Sequence, residues 1–287
     1  MISAAANPNQ IVVAIADAMV ALNAAYVKCK ILHGNLSDRA IQIQETADIV
    51  KGVLADFDYA SYSCASPDAT KADAPEMMLF QSIRALERLV GPEVRGMRSR
   101  AHARARSSRL DDWESILYII CVLGTFGINQ ARRDTYRNGT LRGPPIKSWN
   151  TEEAFEGARV KRLHMDSAHS FYNHIAMEMD DGPLRRLAVD MHRILFLHPD
   201  CPGADISVEG VDPLVTRNNF EEAIVAALLA LMEQYRREAL LALSATGSTP
   251  VRAEQSAGPL KKRKLDAAPE PLATMSRYAR YGKGSKV

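Results

Sequence analysis

Glycine is missing from the start of this chain: the first one is Gly34. A glycine-rich loop cradling phosphate at a helix N-terminus is therefore excluded ahead of that position. Cysteine is sparse, and Cys29, Cys64, Cys121 and Cys201 are widely scattered without a CxxC pair. That spacing excludes the common zinc modules and reads as reduced thiols in an intracellular protein, nuclear or cytoplasmic. The N-terminus has no basic n-region and Asp17 interrupts its apolar pattern, so no secretory signal peptide is expected. The sequons at Asn35 and Asn138 consequently carry no glycosylation argument. The longest apolar stretch, Ile116 to Ile128, is too short to span a bilayer and reads as a buried helix, so no membrane partner is expected.

What is present is enough apolar residue for a core, 47% of the chain. The net charge of +2 hides an asymmetry. From Thr246 onward nine Lys/Arg face three Asp/Glu, whereas the rest of the chain holds 27 against 31. A mildly acidic globule with a basic tail is the expected layout. After Ser244 the composition turns to Gly, Ser, Pro, Ala and Lys, which predicts disorder. The boundary falls between a domain at 1–245 and a tail at 246–287.

Within the globular part the periodicity predicts a mainly α domain. Asn7-Pro8 opens a first helix to about Lys30, with Ile11, Ile15, Met19, Leu22 and Tyr26 on one face. Ala40 to Ile43 and Val53 to Ala55 read as a small β-hairpin, and 58–75 as loop. A helix is predicted over 76–90, ended by Gly91-Pro92. Arg95 to Arg109 has no apolar period and reads as an exposed basic loop before a hydrophobic helix over Leu110 to Phe126. Asn150 with Glu153 suggests a capping box, and further helices fit 164–180, 183–197 and 218–244. The last carries a stripe of Phe220, Ile224, Ala227, Leu228, Leu231 and Tyr235.

Three segments in order carry chemical meaning. Ile31-Leu32-His33-Gly34-Asn35-Leu36-Ser37-Asp38-Arg39-Ala40-Ile41 resembles a kinase catalytic loop in the H-R-D-I-S-x-x-N-I form of the fungal-type protein kinases. Gly52-Val53-Leu54-Ala55-Asp56-Phe57-Asp58-Tyr59-Ala60 is similar to that family's D-F-D-L-A segment. Leu110-Asp111-Asp112-Trp113-Glu114-Ser115 resembles its D-D-L-E-S helix. Between them Leu79 to Leu86 looks like the end of an activation segment, with Arg84 in place of an expected glutamate. The resemblance runs from about Pro8 to Leu243 and implies a protein-kinase-like C-terminal lobe, a helical bundle with one small hairpin.

The resemblance also implies roles, and several positions depart from them. Phosphoryl transfer needs a carboxylate that accepts the substrate hydroxyl proton, and that position holds Asn35, whose amide is no useful general base. The second magnesium ligand falls at Ala40, and the usual arginine is Gly34. His33 is structural in such loops, and it reads equally well as an ordinary packed histidine. Asp56 alone keeps the identity of a metal ligand, and its alternative is a turn-capping carboxylate. The implied N-terminal lobe has no counterpart ahead of the loop, since Ala16 follows Val12-Val13-Ala14-Ile15 where a strand lysine would stand. ATP and magnesium are expected only if such a lobe exists.

These departures favour a catalytically inactive pseudokinase fragment acting as a protein-interaction module, with partner proteins or self-association. The enzyme alternative is an active Ser/Thr kinase whose N-terminal lobe is lost through a truncated gene model. A third reading, a nucleic-acid-associated helical protein, rests on the basic loop and tail. No aromatic residue interleaves Arg95 to Arg109, which weakens a stacking role. Lys261, Lys262, Arg263 and Lys264 form a proline-flanked basic tract of the nuclear import type. Tyr278 to Gly284 offers one further candidate RNA contact.

Overall fold

The computed structural model of the chain describes residues 7–45, 50–58, 60–62, 78–90, 108–126, 145–151, 153–196 and 213–245. Among them 73% are helical, so the mainly α expectation holds. All lie in one compact unit, Met1–Pro250. The expected tail boundary, the import tract and most of the basic loop lie outside the described residues.

Helix α1, Pro8–Cys29, begins where the sequence places it. Asn7 accepts from the Asn9 N–H while its own N–H donates to Gln10 Oε1, and Pro8 occupies the first turn. Lys30 ends it in the left-handed conformation at φ 56°. Ile11 to Ala16 are all buried, so the first half of α1 packs all round rather than on one stripe, while Tyr26 is only half-buried. By length and composition α1 would also suffice to cross a membrane, but here it packs against the hairpin and the last helix.

The hairpin pairs β2, Ile41–Glu45, with β3, Val50–Leu54, antiparallel in the register Ile43 to Gly52. Its strands extend further toward the turn than the apolar runs Ala40 to Ile43 and Val53 to Ala55 suggest, because Gln, Glu and Lys continue the strands beyond them. A second ladder pairs β1, Ile31–Leu32, with β4, Ser61–Tyr62, and β4 lies within the 58–75 stretch expected to be loop. Gly52 is required where β3 crosses α1: a Cβ there would stand 2.2 Å from the Ala14 carbonyl oxygen. Asp17 locks the crossing, accepting from the Gly52 N–H at 2.9 Å and from Arg236 Nε at 3.0 Å.

The predicted helix over 76–90 is two pieces. A one-turn 3₁₀ segment, Met78–Phe80, precedes α2, Ile83–Leu89, and Ser82 caps α2 by accepting from the Ala85 N–H. Helix α3, Arg109–Phe126, is buried along its entire length, polar first turn included. Arg109, expected in an exposed loop, is instead buried under the Tyr26 ring and paired with Glu222.

A 3₁₀ turn, Pro145–Trp149, leads to α4, Ala154–Met165. The Asn150–Glu153 capping box does not form: Glu153 holds the cap position without a side-chain bond and Asn150 is exposed. The predicted helix over 164–180 is broken by Asp166-Ser167. Ser167 caps the separate helix α5, Ala168–His174, and a 3₁₀ turn follows at Ala176–Glu178. Helix α6, Pro183–Phe196, matches its prediction. Helix α7, Pro213–Ala245, starts five residues earlier than read from the sequence. Its buried face includes Ile224, Leu228 and Tyr235 as expected, and Val225, Met232 and Ala239 besides, whereas Ala227 is exposed.

Candidate functional site

Everything at the site is organised by the first turn of α3. Asp112 accepts the backbone N–H of His33 at 2.8 Å on one oxygen and that of Gly34 at 2.9 Å on the other. Burial pushes its carboxyl up to about 6, against the pull of those two N–H groups. Asp111 faces the other way. It accepts from the Ser82 hydroxyl at 2.8 Å, the Ser108 N–H at 2.9 Å and Arg88 at 2.8 Å, with Arg84 at 3.6 Å. Burial alone would raise its carboxyl, but Arg84, Arg88 and the hydrogen bonds outweigh it and hold Asp111 below the usual range. The charge reversal at Arg84 thus yields an ion pair with Asp111.

Glu114, one turn on, accepts from the Ile83 N–H at 2.7 Å and from the Tyr118 hydroxyl. Its carboxyl is raised by burial, and Tyr118 is raised well above its ordinary value by burial and by Glu114. Lys161 of α4 is fully buried beside them, with Nζ 4.2 Å from the Tyr118 ring centroid. It donates to the carbonyls of Met78, at 3.0 Å, and Gln81. Burial brings its ammonium down to about 7.

The expected catalytic positions sit on this frame. His33 is buried, its Nε2–H donates to the Ala55 carbonyl at 3.0 Å, and its ring lies 4.7 Å from that of Phe57. It is therefore a packed spacer joining the two loops, and its Nδ1 has no partner among the described residues. Asn35 accepts from the Gln81 side-chain amide at 3.1 Å, which ties the loop to the segment carried by Lys161. Ala40 is wholly buried in the core. Asp56 is exposed and left-handed at φ 65°, a conformation costly for a residue with a Cβ.

The implied magnesium is not matched by this donor set. Asp56 is a single exposed carboxylate, Asn35 offers an amide already engaged by Gln81, and the Ala40 methyl faces the core. Among the described residues no three His, Cys, Asp or Glu side chains come together as a metal site. Lys161 and Gln81 were not singled out by sequence reasoning. A lone lysine in a polar helix gives no signal of burial, and its role depends on where the Met78 and Gln81 carbonyls arrive in space.

Two comparisons were empty: neither the curated proteins nor the solved structures contain a match to the chain. The family comparison was not. Residues 1–123 match the model described as fungal protein kinase. The matched stretch takes in α1, both loops, the hairpin and the α3 carboxylates. Over residues 1–123 the protein is similar to the fungal protein kinases.

Proposed function

We propose that the protein keeps the kinase-like scaffold as a catalytically inactive, partner-binding module. Asn35 is the observation that carries this reading: at the position of the base it presents an amide that accepts a hydrogen bond from Gln81. Ala40 adds to it, because a buried methyl supplies no metal ligand. On the partner side, Phe57 and Tyr62 leave 40% and 60% of their surface exposed next to Asp56 and β4, apolar area suited to a protein contact. The partner is a protein, or a second copy of this chain.

The test is phosphotransfer by the purified full chain with ATP and magnesium, comparing wild type, Asn35→Asp and Asn35→Asp with Ala40→Asn. Background activity in all three is the expected result. Wild-type transfer abolished by Asp56→Ala would overturn it. Sedimentation across concentration reads the second half, with self-association expected if the partner is another copy.

An active Ser/Thr kinase is the second reading. It is favoured by the intact pinning of the His33 and Gly34 backbone by Asp112, and a large gain for Asn35→Asp would support it. Nuclear import through Lys261, Lys262, Arg263 and Lys264 remains a separate proposal. Replacing all four by alanine should redistribute a fluorescent fusion to the cytoplasm. Unchanged nuclear accumulation would end it.

A further inference from the structure

Trp149 and His164 meet beside Lys161. Trp149 closes the 3₁₀ turn Pro145–Trp149 and is fully buried. Its indole Nε1–H donates to Nδ1 of His164 on α4 at 2.8 Å. That bond uses the lone pair of Nδ1, so the neutral imidazole carries its single proton on Nε2. A second proton can go only to Nδ1, where it would point at the indole N–H. The hydrogen bond and the imidazolium therefore exclude each other.

The surroundings also disfavour the cation. Burial, and then His174 of α5 with its ring centroid 5.8 Å away, hold His164 below the ordinary histidine range. The neighbouring charges do not compensate. Arg162 of α4 is paired with Glu87 of α2. Lys147 lies on the same 3₁₀ turn, and Lys161 Nζ stands 5.9 Å from the Trp149 ring centroid. From α3, Glu114 is engaged by the Ile83 N–H and by Tyr118. Glu87 and Glu114 are thus both engaged elsewhere, and Asp166, at the end of α4, is exposed to solvent.

The indole has a structural task. Its ring meets that of Tyr118 edge-on at 5.0 Å and lies 5.9 Å from Lys161 Nζ, which holds the Met78 and Gln81 carbonyls. Gln81 in turn reaches Asn35. Trp149 thus packs against the cluster that fixes residues 78–83 against the loop at 33–35.

We infer that the Trp149–His164 hydrogen bond is an acid-operated latch. Uptake of one proton by His164 breaks it and releases Trp149 from the Tyr118–Lys161 cluster, loosening residues 78–83. The inference does not depend on whether the protein transfers phosphate.

The full chain, ¹⁵N-labelled, supplies the test, because Trp113 and Trp149 give its only two indole N–H signals. Between about pH 7.5 and about pH 5, one signal should move or broaden, with a midpoint below the free histidine value of about 6.5. His164→Asn places an oxygen near the Nδ1 position and does not titrate, so the indole bond should persist and the pH response vanish. His174→Gln removes a like charge and should raise the midpoint. Two pH-independent indole signals in the wild type would overturn the inference, as would an unchanged response in His164→Asn. The wild-type titration decides the matter even if a variant does not fold.

Discussion

Two loops face each other across His33, and they are held in opposite ways. The loop at 33–35 is pinned at both backbone N–H groups by the buried Asp112 and tied at Asn35 to Gln81. The loop at 55–58 is held at its first residue, where the Ala55 carbonyl accepts from His33 and the Ala55 N–H donates to the Ala40 carbonyl at 2.8 Å, and its Asp56 is exposed in a left-handed conformation. The pinned loop carries Asn35 and Ala40, and the loosely held one carries the Asp56 carboxylate. Backbone anchoring depends on the buried carboxylates of α3, and those survive irrespective of what residues 35 and 40 are.

The comparison breaks hardest at Asp112. Asp112→Ala leaves two N–H groups without their acceptor, each worth about 1–3 kcal/mol when left unpaired in a buried setting, so a loss of about 2–4 kcal/mol is expected. Chemical denaturation at neutral pH measures it. A loss below about 1 kcal/mol would show that the loop needs no anchor.

Lys161 sharpens the pinned side through its pH dependence. In the folded protein its ammonium gives up its proton near pH 7, while in the unfolded chain it stays protonated to about 10.5. The unfolded state then binds more protons between those values, so stability rises with pH across the interval. From about pH 7.5 to about 9.5 the wild type should gain about 2 kcal/mol relative to Lys161→Met, read as the difference between two denaturation series. Parallel series would remove Lys161 from the account.

His33→Phe keeps the packing on Phe57 and deletes only the bond to Ala55. A cost of about 1–2 kcal/mol is expected, together with faster amide exchange at residues 55–58 and little change at 33–35. Equal loosening of both loops would contradict the asymmetry.

The smallest effect is at Asp56. Asp56→Gly relieves the left-handed strain but adds freedom to the unfolded chain, and the two nearly cancel, leaving a gain of about 0.5 kcal/mol in thermal denaturation. A marked loss would mean that the carboxylate holds the loop.

Much of this was legible from residues alone. The start of α1 follows from Asn7, Pro8 and Gln10, which act within one turn. The central helix follows from an apolar run, and the kinase-like likeness follows from motifs whose order needs no coordinates. Misreadings arose where a local signal had a competitor. Ser82 and Ser167 offered caps that split two predicted helices, while Asn150 and Glu153 had the right letters but no backbone geometry to use them.

The sequence by itself determined the helical class, the extent of α1, and which chemical groups stand at positions 33, 35, 40 and 56. Those properties depend on residue identity and on contacts a few positions apart. Only the tertiary structure decided that Asp111, Asp112 and Glu114 point in three directions to hold three backbones, that Lys161 is buried under Tyr118, and that Trp149 leans on His164. Each of these is a partnership between residues distant along the chain. Its energy comes from pairing a desolvated charge or N–H with a specific acceptor, and no local pattern of residues encodes where that acceptor will be.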